Sequence, residues 1–538
     1  MEFNFLNLYK KTILKFIIFL YQINSTMKQN KTQGSSLFWQ FFAILFFLTL
    51  SFSAFAQKVM IKGTFESVPD GAIIALPNKY FDSKREDSGF EIPIDSKGNF
   101  SQELDISHPQ IAVFIYYVNS SRAMMSCDLF VSPGDNLHIT IDSSLKAENV
   151  KVTVTHKEDN QLLNSFSQFD TEKFKGDTLP DRVYKEIERI ALNNKTLLNN
   201  YIKTHKPSKE FIKTWQINLE YFAPQVFYSF EQNNKYNNQK AYARNFDKWK
   251  QRREELFSKI KMSNDEAMNT PFYRSLVYDI VLRTKEELLQ EGYAKNPEIF
   301  FKEWYNASVE EGSKLFRDDF TNTLTEKIIQ KYYTGKSAEY AYAVFFEQSL
   351  DNENNKNLPQ IFENFKKQYP NSGYISQFEP KINKIIENNN KTLTDKMVFV
   401  NKGEQFNTFE EVINQFKGKT VLIDMWGTWC APCRKEISEH SLALHEHFKD
   451  KDIQFLYVAN YDSHNPENWK KIISYQSMEG FHILANEALT QDIMTKTKGE
   501  GFPTYIVLKK DGSYELSKAG YPMKRDVLIE QLEAAIAK

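Results

Sequence analysis

Two cysteines separated by two residues, Cys430 and Cys433, are the part of this sequence best suited to chemistry. They stand in Trp426-Gly427-Thr428-Trp429-Cys430-Ala431-Pro432-Cys433-Arg434-Lys435-Glu436, where an apolar run gives way to a helical pattern. Sulfurs at that spacing on the first turn of a helix reach each other in a tight turn, and the helix N-terminus favours a thiolate. The chemistry expected is thiol–disulfide exchange. Cys430, the accessible sulfur, attacks; Cys433, one step deeper, resolves the mixed disulfide and releases the substrate. Pro432 suits the first helical turn, where a missing N–H would have had no helical partner. A Cys-x-x-Cys can also be half of a zinc site, but that needs two further ligands and no other cysteine lies nearby. No metal and no dissociable cofactor is expected.

Two carboxylates flank the sulfurs: Asp424, six residues before Cys430, and Glu436, three after Cys433. A carboxylate among Val421, Leu422, Ile423, Met425 and Trp426 is costly when charged, so its pKa rises toward the range where it exchanges protons with Cys433. The alternative is an edge strand with the side chain in water. Glu436 is either a second acid at the sulfurs or a solvated glutamate suited to a helix start. Farther on, Gly501-Phe502-Pro503-Thr504 leads into Tyr505-Ile506-Val507-Leu508. A proline at a strand entrance cannot donate to the ladder, and in a tight turn it can be cis.

The elements needed to hold these groups alternate. Strands are expected at Thr420 to Trp426, Ile453 to Ala459, Tyr505 to Leu508 and Tyr514 to Ser517; helices at Pro432 to Phe448, Glu467 to Tyr475 and Lys524 to Ile536. That is an α/β sandwich. With this order and the Trp-Cys-x-x-Cys junction, residues from about 397 to 538 resemble the extracytoplasmic thioredoxin-like proteins of the TlpA and ResA type. The resemblance implies a cis Pro503 beside the cysteines and a substrate met by Trp429, Phe502 and Pro503. It also implies that Asp424 is the thioredoxin-type buried acid and Glu436 the ResA-type active-site glutamate. The chain departs from many relatives at Ser438, where they have a helix-kinking proline, and at Met425, where they have an aromatic.

Other chemistry is weakly supported. Lys417-Gly418-Lys419-Thr420 looks like the end of a phosphate loop, but position 413 is Ile, so it reads as a turn into a strand. His440, His445 and His447 do not repeat at the spacing of a helical metal pair. A peroxiredoxin-like site would have Thr where Gly427 stands. Cys127 reads as a small buried hydrophobe, and the sequon Asn194-Lys195-Thr196 as accidental.

At 538 residues the chain exceeds one core, so a multidomain protein is expected. Residues 57–156 alternate apolar and polar between turns such as Pro69-Asp70-Gly71, Ser96-Lys97-Gly98 and Pro133-Gly134-Asp135, which predicts an all-β sandwich. With Phe130-Val131-Ser132-Pro133-Gly134-Asp135, it is similar to a β-domain of unknown function that precedes such modules in exported Gram-negative proteins. Residues 157–395 show helical spacing and predict an all-α domain. There Phe246, Trp249, Leu256, Phe257 and Ile260 form one side of a helix whose other, solvated side carries Lys248, Arg252, Arg253 and Lys259. Residues 396–538 are the thioredoxin-like domain.

Residues 1–56 read as a targeting segment. Lys28 and Lys31 precede an apolar stretch from Leu37 to Phe55, and Ala54-Phe55-Ala56 is a small-x-small cleavage pattern, with Met27 as the natural start. The expected location is periplasmic or otherwise extracytoplasmic, with no stable membrane insertion after cleavage. A net charge of −1, from 68 basic and 69 acidic residues, gives no field to attract nucleic acid. The expected partners are protein thiols and disulfides and an upstream electron donor. The competing expectation is a cell-envelope binding protein in which the redox module is secondary.

Overall fold

The computed structural model describes residues 57–65, 72–77, 89–118, 122–141, 150–154, 157–160, 162, 165–318, 320–351 and 357–537. The expected leader, its cleavage pattern and Met27 lie outside the described residues, as does the Pro69-Asp70-Gly71 turn. The chain divides into two compact units, one running to Phe227 with Asn269–Ser275, the other comprising Tyr228–Met268 and the chain from Leu276 onward.

The first unit opens with strands β1 (Gln57–Phe65), β2 (Ala72–Pro77), β3 (Gly89–Ile92), β4 (Asn99–Ile106), β5 (Gln110–Val118), β6 (Arg122–Val131), β7 (Asn136–Ile141) and β8 (Val150–Val154). They form two four-stranded sheets, ordered β4-β1-β7-β8 and β3-β2-β5-β6. Alternation places Val59 and Ile61 of β1, Leu104 and Ile106 of β4, and Leu137, Ile139 and Ile141 of β7 in one core with Phe114, Leu129 and Val131. The turn at Gly98 has φ 81°, open to glycine, and Asp95 Oδ1 accepts from Lys97 N and Asn99 N. The valines at 150, 152 and 154 add the edge strand beside β7, in antiparallel register. Cys127 lies in β6 opposite Phe114; its side chain is outside the described residues.

Two long helices complete this unit's core. Along α1 (Pro180–His205) the buried residues Val183, Ile187, Ile190, Asn194, Leu198 and Tyr201 recur every three or four positions. Its Leu198 and Tyr201 join Phe211, Trp215 and Leu219 of α2 (Lys209–Asn237) against Ile111 and Phe130 of the second sheet. Asn194 is buried, and its amide bonds Ser167 N and O at 2.9 Å, so the sequon is occupied by structural work.

In the second unit, α3 (Gln239–Phe257), α4 (Pro271–Glu287), a π-helical turn (Leu288–Tyr293), α5 (Pro297–Tyr305), α6 (Val309–Asp318), α7 (Phe320–Tyr332) and α8 (Gly335–Asp351) continue the helical region, followed by two more helices; α4 begins in the first unit. The last two are α9 (Leu358–Gln368) and α10 (Tyr374–Asn389). On α3, Trp249 and Leu256 face the core as expected, but Arg253 does too, which corrects the solvated-face assignment. Its guanidinium bonds Glu231 Oε1 at 3.0 Å and Glu287 Oε1 at 2.7 Å, and a charge so partnered can be buried.

The last segment is the α/β region. Its elements are β9 (Met397–Phe399), α11 (Phe409–Gln415), β10 (Thr420–Trp426), α12 (Ala431–Phe448), β11 (Ile453–Ala459) and α13 (Pro466–Gln476). These are followed by β12 (Gly480–Leu484), α14 (Glu487–Thr497), β13 (Thr504–Leu508), β14 (Tyr514–Leu516) and α15 (Arg525–Ile536). Sheet order is β14-β13-β10-β11-β12-β9, so β10 is interior, parallel to β11 and antiparallel to β13. All seven residues of β10 are buried because helices cover both faces. Val421, Ile423 and Met425 pack under α11 and α14. Leu422 faces α12 and α15, and Trp426 faces the cysteines. By the two-residue period, Asp424 points to the side of Leu422 and Trp426.

Candidate active site

The cysteines sit where β10 passes into α12. Cys430 and Cys433 form a disulfide with Cα atoms 5.3 Å apart. Cys430 is the N-cap, with extended backbone, and Cys433 N donates to its sulfur at 3.2 Å. That donor and the helix dipole both favour negative charge on the Cys430 sulfur once the bond opens. Cys430 is the more exposed of the two, at 4% against 0%, yet with the disulfide closed it is largely covered rather than open as expected.

The loop between strand and helix is fastened at several points. Thr428 donates from N and Oγ1 to the two oxygens of Asp462, at 2.7 and 2.6 Å. Asn460 Nδ2 donates to Trp426 O and Val458 O, and the Trp429 indole N–H donates to Asn460 O at 2.9 Å. Gly427 permits this: a Cβ there would stand 2.5 Å from the Trp429 indole nitrogen. Sequence reasoning missed Asn460 and Asp462. The available signal was their position just past β11, at the end of parallel strands where functional loops gather.

Around the disulfide lie three aromatics. Trp429 is 52% exposed, Tyr461 is 45% exposed, and Phe502 is half-buried against the cluster that holds both cysteines. Trp429 and Phe502 meet edge to face at 5.6 Å, and Tyr461 lies 6.2 Å from each. Tyr461, also missed, holds φ at 59°, an uncommon conformation for an aromatic residue. The Phe502-Pro503 peptide is cis, as the resemblance implied; Tyr521-Pro522 is cis as well.

Both acids are buried. Asp424 is 6% exposed on an interior strand, which removes the edge-strand alternative. Burial, and then the charge of Glu436, drive its pKa well above the ordinary carboxylate range, and Oδ1 has no hydrogen-bond partner among the described residues. Glu436, 4% exposed, accepts from Tyr505 OH and Met523 N, each at 2.6 Å, so it is not the solvated alternative. Burial beside Asp424 pushes the Tyr505 phenol upward, keeping it a donor. The three histidines of α12 go separate ways: His445 bonds Tyr457 OH, His447 bonds Glu533, and His440 is half-buried near Asp424.

Residues 418–514 match the family model described as thioredoxin-like. The thiol-disulfide oxidoreductase ResA of a Bacillus cereus strain is 29% identical over 126 residues, 23% of this chain and 66% of that protein. ResA of Bacillus subtilis (strain 168) is 37% identical over 46 residues, 9% of this chain and 25% of that one. Among solved structures, the thioredoxin domain of a thiol-disulfide oxidoreductase from Bacteroides vulgatus is 28% identical, covering 23% of this chain and 83% of its own, with TM-score 0.20. A thiol:disulfide interchange protein from Bacteroides sp. is likewise 28% identical, covering 23% and 78%, also with TM-score 0.20. The chain thus spans just under two thirds of the first curated relative and a quarter of the second. Its C-terminal region is a thioredoxin-like module of the TlpA/ResA type, as the sequence suggested.

Proposed function

We propose that this protein is an exported dithiol–disulfide oxidoreductase that reduces disulfides in client proteins. The observation that carries the reading is the Cys430–Cys433 disulfide at the start of α12, with the Cys433 N–H on the Cys430 sulfur. The relatives named as oxidoreductases support it. In the reduced protein the Cys430 thiolate attacks a client disulfide, forming a mixed disulfide and expelling one client thiolate. Cys433 then gives its proton to the Asp424 carboxylate and attacks Cys430; the internal disulfide forms and the second client thiolate leaves. An upstream dithiol donor returns two electrons and two protons. Trp429, Phe502 and Pro503, with Tyr461 added, supply the apolar rim against which a client segment rests. Glu436 holds Tyr505 and the Met523 amide beneath the site.

Trapping tests this directly. Cys433→Ser in exported full-length protein should accumulate mixed disulfides through Cys430, and the further change Cys430→Ser should remove them. No trapped species with the single variant rejects the reading. Export rests on the leader, and the mature protein is expected to begin at Gln57, which N-terminal sequencing checks. Among the described residues no helix is long and apolar enough to cross a membrane.

We read the eight N-terminal strands as an all-β sandwich and keep domain limits at 57–156, 157–395 and 396–538, which limited proteolysis near 156 and 395 would test. One observation favours the competing binding role. A cavity of about 260 Å³ in the second unit is lined by Tyr236, Gln239, Tyr242, Phe246, Gln290 and Glu291, two of them from the π-helical turn. Saturable ligand binding by the Cys430→Ser, Cys433→Ser protein, lost on Phe246→Ala, would support it.

A further inference from the structure

Below the cysteine helix lies a cavity of about 20 Å³, enough for one water molecule. Its polar lining is Asp424 from β10, Glu436, His440 and Ser441 from α12, Tyr457 from β11 and Tyr505 from β13. Most of these are already engaged. Glu436 and Tyr505 bond each other, and Ser441 Oγ bonds Tyr457 OH at 2.9 Å. Two buried atoms on this lining have no hydrogen-bond partner among the described residues: Asp424 Oδ1 and His440 Nδ1. Buried polar atoms are normally satisfied by protein or ordered water, and a water in a polar cavity needs two to four partners. The geometry also has a direction. Asp424 is 6% exposed, whereas His440 is half-buried on α12, one turn beyond Glu436.

We propose that one water bridges Asp424 Oδ1 to His440 Nδ1, and that His440 is the relay through which Asp424 exchanges its proton with solvent. The inference rests on the dithiol reading, in which Asp424 takes the proton of Cys433. Before Cys433 attacks, the Asp424 carboxylic acid passes its proton to the water, which passes one of its own to the Nδ1 lone pair, leaving the carboxylate that takes the Cys433 proton. The imidazolium then turns outward about its side-chain bonds, releases that Nδ1 proton to solvent and returns with the Nε2–H tautomer it began with. The net result is one proton moved from the Cys433 thiol to bulk water, with no change in electron count. His440 touches neither substrate nor sulfur; it acts through Asp424. Glu436 is not the exit, because both its oxygens already accept hydrogen bonds. Tyr457 is not either, because burial raises its phenol well above the ordinary range, leaving it no acidic proton to pass on at neutral pH.

The test uses full-length reduced protein and the chromogenic disulfide 5,5′-dithiobis(2-nitrobenzoate). Attack by Cys430 releases one nitrothiobenzoate, and resolution by Cys433 releases the second, so the two steps are read separately by stopped flow. His440→Ala should slow the second release about tenfold at pH 7 and leave the first unchanged, with the deficit closing as alkaline buffer deprotonates Cys433 directly. Added imidazole should restore the second step in His440→Ala but not in His440→Gln, which fills the site without carrying a proton. An unchanged second step overturns the relay, and so does a slowed one that imidazole does not rescue and pH does not close. If Asp424→Asn slows the second step while both His440 variants match the native rate, the relay alone fails. If the native protein releases only one equivalent, the dithiol reading fails with it.

Discussion

Among the carboxylates that the second unit buries, Glu231 and Asp424 are held in opposite ways. Glu231, fully buried among the helices, accepts from Tyr242 OH and faces the Arg253 guanidinium, which also reaches Glu287. Burial lifts Glu231 to about 7 against the pull of Arg253. Burial also works against the charge on Arg253, but Glu231 and Glu287 more than offset it. Asp424, beneath the cysteine helix, has no such cation among the described residues; its charged neighbour is another carboxylate, Glu436. The first acid is compensated and contributes to a fixed packing of helices. The second is left without a counter-charge, which costs stability and keeps a titratable proton beneath the cysteine helix. Burial alone does not mark an acid as functional; burial without compensation does.

The contrast is most severely tested by removing the cation. Arg253→Met leaves Glu231 buried and unpaired, and should lower the full-length protein's stability in urea by about 3–5 kcal/mol. An unchanged midpoint would mean that the two clusters are not different in kind. Next in size, Asp424→Asn should slow resolution by Cys433 about a hundredfold at pH 7, measured by the second thiolate release. The same variant should be more stable than the native chain, not less, and the sign follows from proton linkage. The folded-state pKa of Asp424 is raised, so above the ordinary carboxylate range folding takes up a proton, and the penalty grows with pH until the folded-state pKa is passed. Urea midpoints should therefore favour Asp424→Asn at pH 8, by on the order of 1–3 kcal/mol, with the gap narrowing toward pH 4. A gap that widens in acid would contradict the assignment. The smallest effect is expected from Tyr505→Phe, which removes one donor to Glu436 and should cost about 1–2 kcal/mol, read by thermal unfolding.

The sequence carried the site further than it carried its surroundings. Thr420 to Trp426 was legible because a strand covered on both faces must be apolar at nearly every position, and Asp424 stood out as its one charged residue. The β9 and β12 strands and the α11 and α14 helices went unread, since pieces of three to eleven residues carry few periods of their pattern. Arg253 was misplaced because the helical period of α3 does not reveal a partner 22 residues away on α2 or 34 away on α4. Asn460 and Asp462 were missed for the same reason: their partners Trp429 and Thr428 lie 31 and 34 residues back in the chain. Polar residues past a strand end resemble any loop until the fold brings those segments together.

Those two residues have a consequence for the redox cycle. Asp462 and Asn460 grip Thr428 and Trp429 in the disulfide form through oxygens and nitrogens that gain and lose no electrons, so in the proposed cycle opening the sulfur bond removes none of these partners. The segment entering α12 is thereby a fixed mount. Under the proposed function, making or breaking the sulfur bond then asks for side-chain rotation on a frame already fastened, with little rearrangement to slow it.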